Sequence, residues 1–125
     1  MQFGVDIVRG REMATLVCRG RLVFDHGVPV LRDEAHRELS RGHTLALALD
    51  LGSITQMDAS GVGVLAELCD AARTTGRGVV LLGATDRVSL LLHLTRLDTL
   101  IPTIHPTSGA RPASLSRNGV LAESL

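Results

Sequence analysis

The residues best suited to recognition chemistry are concentrated in one short run, Met57-Asp58-Ala59-Ser60-Gly61-Val62-Gly63, which follows a buried apolar stretch and opens a helical pattern. Asp58 is of the type that satisfies the unpaired amide groups of a helix start. Gly61 and Gly63 leave that start free of bulk, so that another backbone can approach, and Ser60 offers a hydroxyl that caps well and can carry a phosphate. The same residues also suit a plain capped helix with packing glycines, and the run by itself leaves both readings open. Elsewhere the reactive side chains are dispersed. His26, His36, His43, His93 and His105 show no ligand spacing such as HxxxH, so no metal site is expected. There is no GxSxG elbow and no Cys/His pairing, and Gly61-Val62-Gly63 lacks the rest of a phosphate-cradling loop. Neither catalytic residues nor a cofactor are expected.

The elements that must position this run follow from hydrophobic patterning. Val5 to Val8 and Thr15 to Leu22 read as strands separated by the turn-like Arg9-Gly10-Arg11. Leu31, Ala35 and Leu39 recur every four residues among charged neighbours, which predicts an amphipathic helix between Val30 and Arg41, closed by Gly42. Thr44 to Leu49 is apolar without alternation and suits a central strand buried on both faces. Gly52, Ser53 and Thr55 read as a polar loop before the helix that Asp58 opens. On a wheel of about 100° per residue, Val62, Leu65, Ala66, Cys69 and Ala72 share the inner side of that helix, and Gly63, Glu67, Asp70 and Thr74 the outer. Val79 to Leu82 is a further strand, Asp86 can cap a third helix through Leu94, and Leu100 to Ile104 reads as an edge strand weakened by Pro102. Strands alternating with helices imply an α/β fold, a mixed, mainly parallel sheet with helices packed against it, because parallel strands require crossovers. Residues 1–105 form that domain, and 106–125, without period, are expected to be a flexible tail.

Composition narrows the function further. A chain of 125 residues is one domain, large enough to bury about two thirds of its unfolded surface. Its core must be aliphatic, since Phe3 and Phe24 are the only aromatic residues. The basic residues are all arginine, and 13 of them offset 13 acids to a formal net charge of zero, so no field favours nucleic acid or an anionic membrane. Stacking on nucleobases would need aromatic residues that the chain lacks. Cys18 and Cys69 lie far apart in apolar stretches and read as buried thiols of a reducing cytosol. No apolar run approaches the ~20 residues of a membrane helix, and no basic-then-apolar leader is seen, so a cytoplasmic domain without membrane insertion is expected.

With these elements in place, the chain resembles the STAS family, which includes the anti-sigma factor antagonists and the cytoplasmic tails of sulfate transporters. The family pattern has a buried strand ending in Asp-Leu-Ser, then Asp-Ser-Ser-Gly-Leu-Gly at a helix start; here stand Asp50-Leu51-Gly52 and Asp58-Ala59-Ser60-Gly61-Val62-Gly63. The family's Gly-x-Leu appears as Gly20-Arg21-Leu22, and its late helix with a Leu-Asp exit as Val88 to Asp98. The resemblance implies a non-catalytic binding module whose partner is an anti-sigma factor that is also a serine kinase-like ATPase, in sigma-factor or stress signalling. In the family that kinase phosphorylates the first serine of Asp-Ser-Ser-Gly and so switches binding off. Here that position is Ala59, which has no hydroxyl. Ser60 aligns with the second serine, and the step of about 100° to it misplaces a nucleophile for a kinase aligned on the first. Many relatives also carry an acid directly after Gly-x-Leu, where this chain has Val23 and, later, Asp25.

The resemblance therefore places a partner-binding surface at Asp58, Ala59, Ser60, Gly61 and Gly63, with Asp25 beside it, unswitched at position 59. A second feature is Leu90-Leu91-Leu92-His93-Leu94, whose leucines cover most of a helix circumference. Val88, Leu91 and Leu92 fit the inward side, leaving Leu90 and Leu94 near water, either as part of a wide core stripe or as an apolar interface for a partner or a second copy in a homodimer. The rival function implied by the resemblance is a ligand-sensing module, or an accessory domain of a transporter or lipid-trafficking system.

Overall fold

The alternation of strand and helix patterns is realised as a five-stranded sheet with helices on it, in a computed structural model that describes residues 2–41 and 44–104. In chain order the elements are β1 (Gly4–Arg9), β2 (Met13–Leu22), α1 (Val28–Arg41), β3 (Ala46–Met57), α2 (Ala59–Thr74), β4 (Gly78–Leu82), α3 (Asp86–Leu94), a 3-10 turn (Leu97–Thr99) and β5 (Thr103–Ile104). The sheet order is β1-β2-β3-β4-β5, with β1 antiparallel to β2 and the other neighbours parallel. Gly42, His43, His105 and the expected tail 106–125 lie outside the described residues.

Stepping one strand at a time in a constant direction has a geometric consequence. Right-handed crossovers that always advance the same way leave their helices on one face of the sheet. The core shows this arrangement: Leu16, Leu47, Leu49 and Leu81 from the strands meet Leu31 and Ala35 of α1, Leu65 and Leu68 of α2, and Val88 and Leu92 of α3 in one cluster. Ala48, Val80 and Leu82, with Met13 and Ile104 against them, form a separate small cluster on the opposite face, to which no described helix contributes. Cys18 lies wholly inside the main core, where burial chiefly, and the negative charge of Asp50 secondarily, push its thiol up to about 12. Among the described residues no helix is long and apolar enough to cross a membrane.

Several expected boundaries move, each for a non-local reason. The residues expected as a polar loop, Gly52, Ser53 and Thr55, belong to β3, which runs on to Met57. Arg19 to Leu22 of β2 supplies a parallel ladder to Ser53 through Met57, while β4 pairs with β3 only as far as Asp50. With a neighbour on one side only, the far half of β3 tolerates polar residues and exposes Thr55 and Gln56 while burying Ile54. α1 begins at Val28, with Pro29 inside its first turn, where a missing N–H costs no intrahelical bond. α3 is capped by Thr85, whose hydroxyl accepts from the Val88 N–H, and Asp86 is its first residue rather than its cap. The inner side of α2 also includes Gly61, Val64 and Leu68, whereas Ala66 and Cys69 are only half-buried.

Candidate functional site

At the end of β3 the chain turns directly into α2, and Asp58 makes the turn with extended backbone at φ −117°. Its carboxylate is used twice. Oδ1 accepts from the Gly61 N–H at 3.0 Å, the expected cap. Oδ2 accepts from the Phe24 N–H at 3.1 Å, which ties the loop between β2 and α1 to the start of α2. That loop is itself wound around one buried carbonyl, Val23 O, which accepts from the amides of His26, Gly27 and Val28. A loop 34 residues away in sequence is thus held against the helix terminus.

The residues after the cap divide between inside and outside. Ala59 is exposed, and Ser60 is half-buried with no hydrogen bond from its hydroxyl among the described residues, so side-chain capping falls to Asp58. Gly61 is buried: a Cβ there would lie 2.6 Å from the Leu22 carbonyl oxygen and 2.6 Å from Met57 Cγ. Its bareness serves the packing of α2 against the end of β2 within the chain itself. Gly63 faces open space, with nothing within 4 Å of the corresponding position. The surface around the terminus is therefore Ala59 and Gly63, with Ser60 at its margin.

Asp25 is exposed on the adjoining loop and makes no hydrogen bond among the described residues; the loop reaches the site through the backbone of Phe24. Val23, which stands where the resemblance expects an acid, is buried at 6% exposure. Phe24 itself was not marked by the sequence, yet its ring is 70% exposed beside the cap, in a chain with two aromatic residues. The available signal was its place immediately before Asp25 in a loop otherwise short of large side chains. On the other side of Met57, Leu90 and Leu94 are exposed at 58% and 68% and border a groove, while Val88 and Leu92 face the core. The histidines are separated: His36 lies 3.2 Å from Glu67, and His93 lies 3.3 Å from Asp98.

This geometry can be set beside known proteins. The STAS domain family model matches residues 10–110, and the chain belongs to that family. An anti-sigma factor antagonist from Mycobacterium paratuberculosis has the same fold at a TM-score of 0.69 and 23% identity, over 94% of this chain and 96% of that one. The anti-sigma factor antagonist SpoIIAA in its unphosphorylated form matches at 0.67 and 16% identity, over 93% and 98%, and a phosphorylated form of the Bacillus protein matches as well. A sulfate transporter family protein from Wolinella succinogenes matches at 0.59 and 18% identity, over 75% and 76%.

Proposed function

We propose that this STAS domain is a non-catalytic protein-binding module of the anti-sigma factor antagonist kind, acting in the cytoplasm, whose docking surface is the start of α2 and is not switched by phosphorylation at position 59. The observation that carries the reading is an exposed methyl group, Ala59, directly after a fully engaged helix cap, at the position that the motif resemblance aligns with the family's phosphoacceptor serine. The partner is an anti-sigma factor of the serine kinase-like ATPase class, whose capture frees a sigma factor. Asp58 fixes the terminus, Ala59, Ser60 and Gly63 form the small contact surface, Gly61 seats the helix, and Asp25 borders it. A phosphate would bring nearly two negative charges to this end of the helix and alter the interface without refolding the domain. With no oxygen at position 59, that control is lost and the antagonist is constitutive.

Incubation with the purified kinase-type anti-sigma factor and ATP, followed by mass spectrometry, tests the reading. The expected result is a stable complex with no phosphate on the wild-type chain, and one phosphate gained on the Ala59→Ser variant. Stoichiometric phosphate on Ser60 would overturn the constitutive reading. A ligand-sensing or transporter-accessory role is the rival, supported by the likeness to the sulfate transporter protein; a small molecule retained through purification and no complex with the anti-sigma factor would favour it.

A further inference from the structure

The sheet has a second apolar face. Successive strand residues point to opposite sides, so Val80 and Leu82 of β4 and Ala48 of β3 turn away from the main core, with Met13 and Ile104 packed against them. We infer that residues 106–125 of the same chain dock on this face through the aliphatic side chains of Val120, Leu121 and Leu125, in place of the flexible tail expected of an aperiodic stretch. The inference does not depend on the docking surface at the start of α2.

Four observations support this occupant. The first is burial. Ala48, Val80 and Leu82 are 0%, 4% and 4% exposed within a single chain, yet no described helix contributes to their cluster. Side chains stand roughly perpendicular to a sheet, so Met13 and Ile104 shield them from the sides and leave their tips to be covered from above. A cover supplied by the chain itself accounts for that burial without a second copy. The second is continuity. Ile104 packs on the cluster and is the last described residue, so the segment that follows starts at the border of the face. The third is reach. Residues 106–112, Pro-Thr-Ser-Gly-Ala-Arg-Pro, carry no large apolar side chain and precede those that do. A run of that length extends up to about 23 Å, and the strand spacings from β5 to β1 add up to about 19 Å, so the apolar residues can be carried over any part of the face. The fourth is charge. Asp50 continues the same side of β3 two positions beyond Ala48, is half-buried, accepts from the Gly52 N–H and pairs with no cation among the described residues. Residues 106–125 carry Arg111 and Arg117 against one acid, Glu123, and so bring this carboxylate the charge it lacks.

The test uses the full chain with its methyl groups isotopically labelled. Nuclear Overhauser contacts are expected between the methyls of Val80, Leu82 or Ile104 and those of Val120, Leu121 or Leu125. In a sample mixed from labelled and unlabelled chains, these contacts are expected to remain within one molecule. Their absence overturns the inference, and so does their appearance only between molecules, which would assign the face to a second copy. A triple variant, Val120→Ser with Leu121→Ser and Leu125→Ser, removes the cover while leaving the sheet intact. It is expected to keep the wild-type circular dichroism spectrum and to bind a dye of exposed apolar surface severalfold more strongly. Dye binding equal to that of the wild type in the folded variant overturns the inference as well. The contacts in the wild-type chain are read without any substitution, so a variant that fails to fold still leaves the outcome decided by them.

Discussion

Two glycines two residues apart on α2 do opposite work, and substituting each separates packing from contact. At Gly61 an added Cβ meets the backbone oxygen of Leu22, which cannot swing aside as a side-chain end can. Gly61→Ala is expected to lower stability by about 1–3 kcal/mol, as overpacking does. At Gly63 the same methyl meets nothing, and replacing a helix-interior glycine removes backbone freedom from the unfolded chain. Gly63→Ala is expected to raise stability by about 0.5–1 kcal/mol. Urea unfolding of both variants checks the pair; equal effects would mean that the close approach to Leu22 is not needed. The sequence marks both positions as glycine beside Asp58 and cannot assign them, because the difference lies in what β2 places above one and not the other.

Helices α1 and α2 are joined across their exposed sides by Arg32, His36 and Glu67. Arg32 Nε is 3.0 Å from a Glu67 oxygen, and His36 Nε2 approaches the same oxygen at 3.2 Å. The hydrogen bond from Arg32 is the main reason that the Glu67 carboxyl is held below its ordinary range; burial opposes this, and His36 adds to it. A carboxyl lowered by folding stabilises the fold above its unfolded pKa and loses that contribution as pH falls through the lowered value. Acid unfolding followed below about pH 4 is therefore expected to show a smaller loss of stability in Glu67→Gln than in the wild type. An identical acid limb in both would exclude the link. The period of Leu31, Ala35 and Leu39 makes α1 legible in sequence, but not this link. Glu67 lies 31 residues beyond His36, and only the packing of two parallel crossovers brings them together.

At the scale of the whole molecule, one charged link among the described residues ties the end of β1 to the helical layer. Glu38 of α1 is almost fully buried, and its carboxylate accepts from Arg9 Nε at 3.2 Å and Nη2 at 3.0 Å; Arg41 is farther, at 3.9 Å. Arg9→Ala strands that carboxylate inside the fold and is expected to cost about 1–3 kcal/mol. Replacing both, Arg9→Met with Glu38→Leu, is expected to recover most of the loss, since no charge is then left unpaired. Denaturant titration of the single and double variants reads this directly.

What the amino-acid order determined by itself is everything that depends on near neighbours. The unalternating strand Thr44 to Leu49, the α1 stripe, the Asp58 cap, the missing hydroxyl at 59 and the alternation that implies parallel crossovers are all local chemistry repeated along the chain. Tertiary structure decided what depends on residues far apart. It extended β3 through a polar stretch because β2 offered a ladder there, and bound Phe24 to Asp58 across 34 positions. It also turned Gly61 inward and Gly63 outward. The physical reason is that capping and periodicity are satisfied within a turn or two, whereas ladder pairing, burial and exposure are properties of a surface made only when distant segments meet.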